Sequence, residues 1–262
     1  MNDHNPYSPP QARLEPHGGD GTLAASPRGV DAGRGASWFG DGWALFKQAA
    51  GLWIGMVVVY AIIMIAVGMV PLLSLLNTLL GPVFTAGFML GCRALDRGDG
   101  MQFSHLFAGF TQRTGTLVGV GALYLAGTIA VFLVAGFVAL GSNADLLMGM
   151  VGGAEPDPEK MAELGTGFLL AVLIALALML PLVMALWFAP ALVMLHGKGA
   201  IEAMKLSFAG CLRNILPFLV YGIVGLVLAV VASIPLMLGW LVLAPVLIGS
   251  MYAGYKDIFL EP

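Results

Sequence analysis

Leu212 to Asp257 reads LRNILPFLVYGIVGLVLAVVASIPLMLGWLVLAPVLIGSMYAGYKD. Between Arg213 and Lys256 it holds no Asp, Glu, Lys or Arg. It is long enough for two crossings of hydrocarbon at about 20 residues each, joined by a tight turn near Pro235–Gly239. Spans at Leu216–Leu236 and Trp240–Phe259 are the direct reading. Working outward, the same pattern gives Leu52–Leu72, Leu76–Leu95, Leu117–Leu140 and Phe168–Leu195. No charge lies in the central part of any of them. One would cost about 3 kcal/mol at the middle of a bilayer. The predicted fold is therefore an all-α integral membrane protein of six transmembrane helices. Composition agrees. The chain is 59% hydrophobic and 10% charged, where soluble domains run near 45–50% and about 25%.

Loop charges set the expected orientation. Arg13, Arg28, Arg34 and Lys47 precede the first span. Arg93, Arg97 and Arg113 follow the second, Lys198, Lys205 and Arg213 follow the fourth, and Lys256 ends the sixth. Of the twelve Lys and Arg, only Lys160 falls on the other side, among Asp145, Glu155, Asp157, Glu159 and Glu163. The excess of Lys and Arg in cytoplasmic loops places both termini in the cytoplasm of a bacterial inner membrane. Residues 1–36 are rich in Pro, Gly and charge and open on Asn5-Pro6-Tyr7-Ser8-Pro9-Pro10. They cannot bury enough apolar surface to order themselves and are expected to form a disordered cytoplasmic tail. They hold no apolar core of a cleavable signal. Residues 37–262 form the membrane domain.

The segments ahead of the odd spans resemble one another. Phe107-Ala108-Gly109 matches Phe208-Ala209-Gly210, and Trp43-Ala44-Leu45-Phe46 takes the same place before span one. Gly81-Pro82-Val83 through Gly91-Cys92-Arg93 matches Ala244-Pro245-Val246 through Gly254-Tyr255-Lys256, with Ala189-Pro190-Ala191 as a looser copy. Three units of an interfacial helix plus a hairpin follow, with pseudo-symmetric packing. Ile201, Met204, Phe208 and Leu212 form one helical face suited to the headgroup plane. Trp38, Trp43, Phe46 and Phe107 are expected at the same interface. Gly87 with Gly91, and Ser250 with Gly254, are small-xxx-small pairs that serve packing within the chain or in a dimer. Pro82, Pro190 and Pro245 are expected to kink their helices.

Sites of chemistry are scarce. Proton relays and intramembrane enzymes need an ionisable group at depth, and the spans carry only Thr85, Thr128, Ser233, Ser250, Tyr60, Tyr124, Tyr221 and Tyr252 as polar residues in this reading. His4, His17, His105 and His196 are isolated, and Cys92 and Cys211 stand apart. Asp96-Arg97-Gly98-Asp99-Gly100 lacks the further ligand positions of a calcium loop and reads as a turn. No catalytic residue, metal site or cofactor is expected. A net charge of −3 offers no basic field for nucleic acid.

Asn5-Pro6-Tyr7, Gly42–Lys47 (GWALFK), Leu80–Phe84 (LGPVF), Leu90–Gly98 (LGCRALDRG) and His105–Phe110 (HLFAGF) resemble an uncharacterised family of bacterial six-span inner-membrane proteins, from Trp38 to the C-terminus. More loosely, the aromatic-basic helix plus hairpin is similar to the membrane part of glycerophosphodiester phosphodiesterases, whose catalytic domain is absent. The resemblance implies a topology and no activity. The expected role is non-enzymatic interaction with membrane lipid, another membrane protein or a second copy; the alternative is a channel or facilitator for a small uncharged solute.

Overall fold

The computed structural model describes residues 21–70, 73–140, 148–149, 151–152 and 158–261. The first twenty residues, Pro71 and the outer-loop residues Asp145, Glu155 and Asp157 lie outside them, as do the side chains of Glu159, Lys160 and Glu163. The described elements are helical apart from one isolated bridge between Leu23 and Leu260.

The helices are α1 (Arg34–Gln48), α2 (Ala50–Gly68), α3 (Ser74–Asp96), α4 (Ala108–Thr111, after a 3-10 turn Phe103–Phe107), α5 (Thr114–Leu140), α6 (Pro158–Trp187), α7 (Ala189–His196), α8 (Ala200–Arg213), α9 (Ile215–Ser233) and α10 (Trp240–Phe259). Five stretches are long and apolar enough to cross a membrane: Ala50–Gly68, Ser74–Asp96, Thr114–Ala139, Gly165–His196 and Ile215–Ser233. The sixth expected span is α10. It is 20 residues long, but Tyr252, Tyr255, Lys256 and Asp257 dilute its hydropathy and it is not among the five.

Burial is uneven. α2, α5, α6 and α9 are apolar all round and turn large side chains outward: Ile65 is 63% exposed, Phe137 79%, Leu176 64% and Leu226 67%. A water-soluble protein does not display so continuous an apolar surface; lipid is its solvent. α3 and α10 are the inner helices, and Val83, Phe84, Met89, Tyr255 and Ile258 on them are buried.

Two short segments pack on the backbones of these inner helices, and a third packs where α6 meets α7. A Cβ on Gly42 of α1 would stand 2.4 Å from the Val246 carbonyl oxygen and 2.6 Å from the Ser250 nitrogen of α10. One on Gly109 of α4 would stand 2.1 Å from the Val83 carbonyl oxygen of α3. In α8 the equivalent contact is made by a hydroxyl. Ser207 Oγ donates to the Met184 carbonyl at 2.6 Å and accepts the Phe188 N–H at 2.9 Å. That N–H and that carbonyl are four apart and would otherwise bond each other. The inserted hydroxyl breaks the ladder where α6 gives way to α7.

This corrects the expected kink at Pro190. Pro190 sits in the first turn of α7, where its missing N–H costs nothing, and the break belongs to Ser207. Pro82 and Pro245 do lie inside helices, as does Pro181, which the sequence reading passed over.

The boundary drawn at residue 36 is also corrected. Ala24 N donates to Phe259 O at 2.8 Å, Arg28 N to Ile258 O at 2.7 Å and Glu261 N to Thr22 O at 2.9 Å. Asn214 holds the same strap: its Oδ1 accepts Val30 N, and its Nδ2 donates to Arg28 O and Gly210 O, each at 2.8 Å. Composition alone missed this because the partners are carbonyls at the other end of the chain.

Ser207→Ala leaves the buried Phe188 N–H unpaired and the Met184 carbonyl with only the long Cys211 thiol contact at 3.6 Å. It is expected to cost about 1–3 kcal/mol, read as a lower denaturation midpoint in detergent, whereas Ser104→Ala, on an exposed side chain, should stay within about 0.5 kcal/mol.

Candidate functional site: an uncharged cavity among the membrane helices

One face of α3 brings Asn77, Thr78, Gly81, Pro82, Thr85 and Phe88 to a cavity of about 620 Å³. Leu247, Ile248 and Met251 of α10 face it, with Leu186, Trp187 and Pro190 around the Ser207 break. Three outer helices add one tyrosine each: Tyr60 from α2, Tyr124 from α5 and Tyr221 from α9. Among the described residues no Asp, Glu, Lys, Arg or His lines it. The size falls within the ~300–1,000 Å³ of small-molecule sites.

Aromatic packing fixes the walls. Tyr60 meets Phe84 and Phe88 edge-on at 5.3 and 5.7 Å, and Tyr221 stacks on Phe39 at 4.6 Å. Ser250 gives its hydrogen to Leu247 O at 2.8 Å. The 2.9 Å contact between the Tyr221 and Ser250 hydroxyls is therefore donated by Tyr221. Asn77 Nδ2 donates to Met64 O at 3.0 Å, which turns Oδ1 the other way; that oxygen is buried and has no partner among the described residues. Thr128 Oγ1 on α5 is in the same condition. Asn77 was missed because it sits one residue inside the expected span, where an amide reads as an end of the helix. Its signal was being the one amide within any of the expected spans.

Around the cavity α10 packs on α2 and on α9, α2 on α3, α3 on α5, and α5 on α6. Among the described residues α6 and α9 form no packed interface. They meet through Trp187, whose ring lies edge-on to Phe218 at 6.0 Å and Tyr221 at 6.1 Å. Further along α3 and α7, Met89, Cys92, Ala191, Leu192 and Val193 are buried. A second, polar cavity of about 780 Å³ is lined from the same helices by Arg93 and His196, and from α10 by Tyr252 and Tyr255.

The remaining sequence-named residues are placed as follows. Gly87 and Gly91 are covered by His105, Leu106 and Met101, and Gly254 by Trp38; Ser250 meets Tyr221. Both small-residue pairs thus face this chain's own segments. Trp38 and Phe46, expected at the lipid interface, are instead 1% and 6% exposed. Trp38 packs on Phe218 and Tyr221 and donates to Asp257 Oδ2 at 2.7 Å. Trp43, Phe107, Ile201 and Leu212 are exposed, while Met204 and Phe208 are half-buried. The buried face of α8 is Ala203, Ser207, Gly210 and Cys211. Burial pushes the Cys211 thiol up to about 12, so it is no thiolate nucleophile. His105 accepts the Gln102 N–H through Nδ1 at 3.1 Å, and burial lowers its pKa, so its neutral form is favoured. Gly98 and Gly100 have φ of 80° and 78°, and the acidic run between α3 and α4 is a turn. Among the described residues no three of His, Cys, Asp and Glu converge as metal ligands would.

Comparison with curated proteins finds a relative in Burkholderia thailandensis named a "probable inner membrane protein", 33% identical over 257 residues, spanning 88% of this chain and 92% of the relative. The chain belongs to that family. Membership and the five apolar helices agree on a multi-pass protein of the inner membrane. No family model matches the chain, and no solved structure does. No link to glycerophosphodiester phosphodiesterases emerges from these comparisons.

Asn214 and Asn77 separate architecture from site. Asn214→Leu breaks three hydrogen bonds at a position 1% exposed and is expected to cost about 2–4 kcal/mol. Asn77→Leu loses one bond but also removes an unpaired acceptor, so its change should stay under about 1 kcal/mol. Denaturation of both variants in one detergent gives the comparison.

Proposed function

We propose that this family member is a non-enzymatic, lipid-binding protein of the inner membrane, with six spans and both termini in the cytoplasm. The observation that carries the reading is the uncharged, tyrosine-walled cavity with an unpacked seam between α6 and α9. An acyl chain can enter from the bilayer through such a seam without meeting a charge. Asn77 Oδ1 supplies an acceptor for a hydroxyl or amide N–H of the guest, since an unpaired buried acceptor gains a full hydrogen bond.

Six spans follow from counting α10. Its 20 residues cover about 30 Å at 1.5 Å per residue, and it is packed inside the bundle, where bulk hydropathy is least needed. In support of a threefold plan, Gly42 and Gly109 each meet a carbonyl of an inner helix, and Ser207 meets one near the end of α6. Two of those carbonyls, Val83 and Val246, directly follow a proline. The third, Met184, lies three residues after Pro181, so Pro190 is not the matching proline.

The second reading is a channel or facilitator for a small uncharged solute. It draws on the two cavities, both lined from α3, α7 and α10. The test is extraction into native nanodiscs followed by mass spectrometry of what co-purifies. Lipid retained through detergent washing, and reduced about tenfold by filling the cavity with Thr85→Trp, is the expected result. Retention unchanged by Thr85→Trp, together with solute flux in vesicles that this change abolishes, would replace it with the channel. Co-purification of a protein alone would point to a partner or a second copy.

Orientation has its own test. In a background of Cys92→Ala and Cys211→Ala, Val151→Cys should react with an impermeant thiol reagent added to intact cells. Asp99→Cys and Gly199→Cys should not. The opposite labelling would invert the protein, and labelling of all three would break the six-span count.

A further inference from the structure

The polar cavity of about 780 Å³ is assembled from three parts of the chain: Arg93 and Arg97 from α3, Lys256 from α10 and Arg28 from the N-terminal strap, with His196 and Tyr255 beside them. Two of its three carboxylates are ion-paired and the third is hydrogen-bonded. Asp96 is paired with Lys256 at 2.7 Å, and Asp257 with Arg34 at 2.7 Å. Glu261 accepts the Thr22 hydroxyl at 2.7 Å. Arg93 is half-buried and has no carboxylate partner among the described residues. Arg28 spends one donor, from Nη1, on Leu260 O at 2.9 Å, out of the five that a guanidinium carries.

Arg28 is also held rigidly. Its N–H bonds Ile258 O and its carbonyl accepts Asn214 Nδ2. The side chain is thus presented to the cavity with little left to order on binding. Two guanidiniums with spare, planar donors, in a pocket with two of three acids ion-paired, suit a tetrahedral oxyanion better than a neutral guest.

We propose that this cavity is a phosphoryl-binding site, with Arg93 and Arg28 as its principal ligands. It is separate from the uncharged cavity and does not depend on the lipid reading above. The phosphoryl group belongs either to a phospholipid headgroup or to a soluble phosphate compound, and the chemistry that recognises it is the same.

The experiment uses the full-length protein in dodecyl maltoside micelles, which carry no phosphoryl group. One arm titrates inorganic phosphate against sodium chloride at matched ionic strength; the other adds phosphatidylglycerol to the micelles. Thermal stability is the readout. A saturable rise in one arm is expected and assigns the source: phosphate alone means a soluble ligand, and phosphatidylglycerol alone means a headgroup. Arg93→Gln should weaken that response about tenfold, Arg28→Gln should weaken it similarly, and Arg93→Lys should keep part of it. Lys205→Gln, on the exposed face of α8, should leave it unchanged. Helical circular dichroism and a normal elution volume show whether each variant is folded. No response in either arm, or an equal response in folded Arg93→Gln and Arg28→Gln, overturns the site.

Discussion

The structure depends on backbone-to-backbone contact between short segments and the inner helices. Within a bilayer there is no hydrophobic gain from pressing one apolar helix onto another, so close approach and hydrogen bonding must supply the attraction. Gly42 and Gly109 permit that approach because a methyl group in either place would collide with a carbonyl oxygen. Ser207 goes further and replaces a helical hydrogen bond with two of its own. Gly42 and Gly109 each fix one segment against one inner helix, and Ser207 fixes one where α6 meets α7. Together they hold α3, α7 and α10 around a common space while leaving the outer helices to face lipid.

From that constraint the uncharged cavity follows. Three of the outer helices, α2, α5 and α9, each bring a tyrosine inward, and α3 brings Asn77, Thr78, Gly81 and Thr85, which leaves a space between them and Leu247, Ile248 and Met251 of α10. α10 packs on α2 and α3 on α5. α6 and α9 form no packed interface among the described residues and meet through the Trp187 ring. The break at Phe188 accounts for the difference: it ends α6 and starts α7, so the two halves of that crossing need not run in one line.

The sequence made the spans legible because charge is so costly in hydrocarbon that its absence marks them. It also made the tyrosines and threonines visible as the polar residues at depth. It did not reveal the buried face of α8. The stripe Ile201, Met204, Phe208, Leu212 is the more apolar one, yet Ala203, Ser207 and Gly210 lie against the protein. In water the greasy face goes inside. Beside a membrane both faces find partners, and small size decides which one touches protein. For the same reason Trp38 was assigned to the interface by its chemistry and is found in the core. The strap from Gly21 to Val30 was illegible because its partners, Asn214 and the carbonyls after Lys256, are nearly a whole chain length away.

The central claim is that the cavity opens to lipid between α6 and α9. A cryo-electron microscopy map of the protein in a native lipid nanodisc tests it most directly. Elongated density running from the bilayer between residues 165–187 and 215–233 and ending near Asn77 is the expected result. A seam closed by direct packing of those two helices, with the cavity empty or filled only by water, would contradict it.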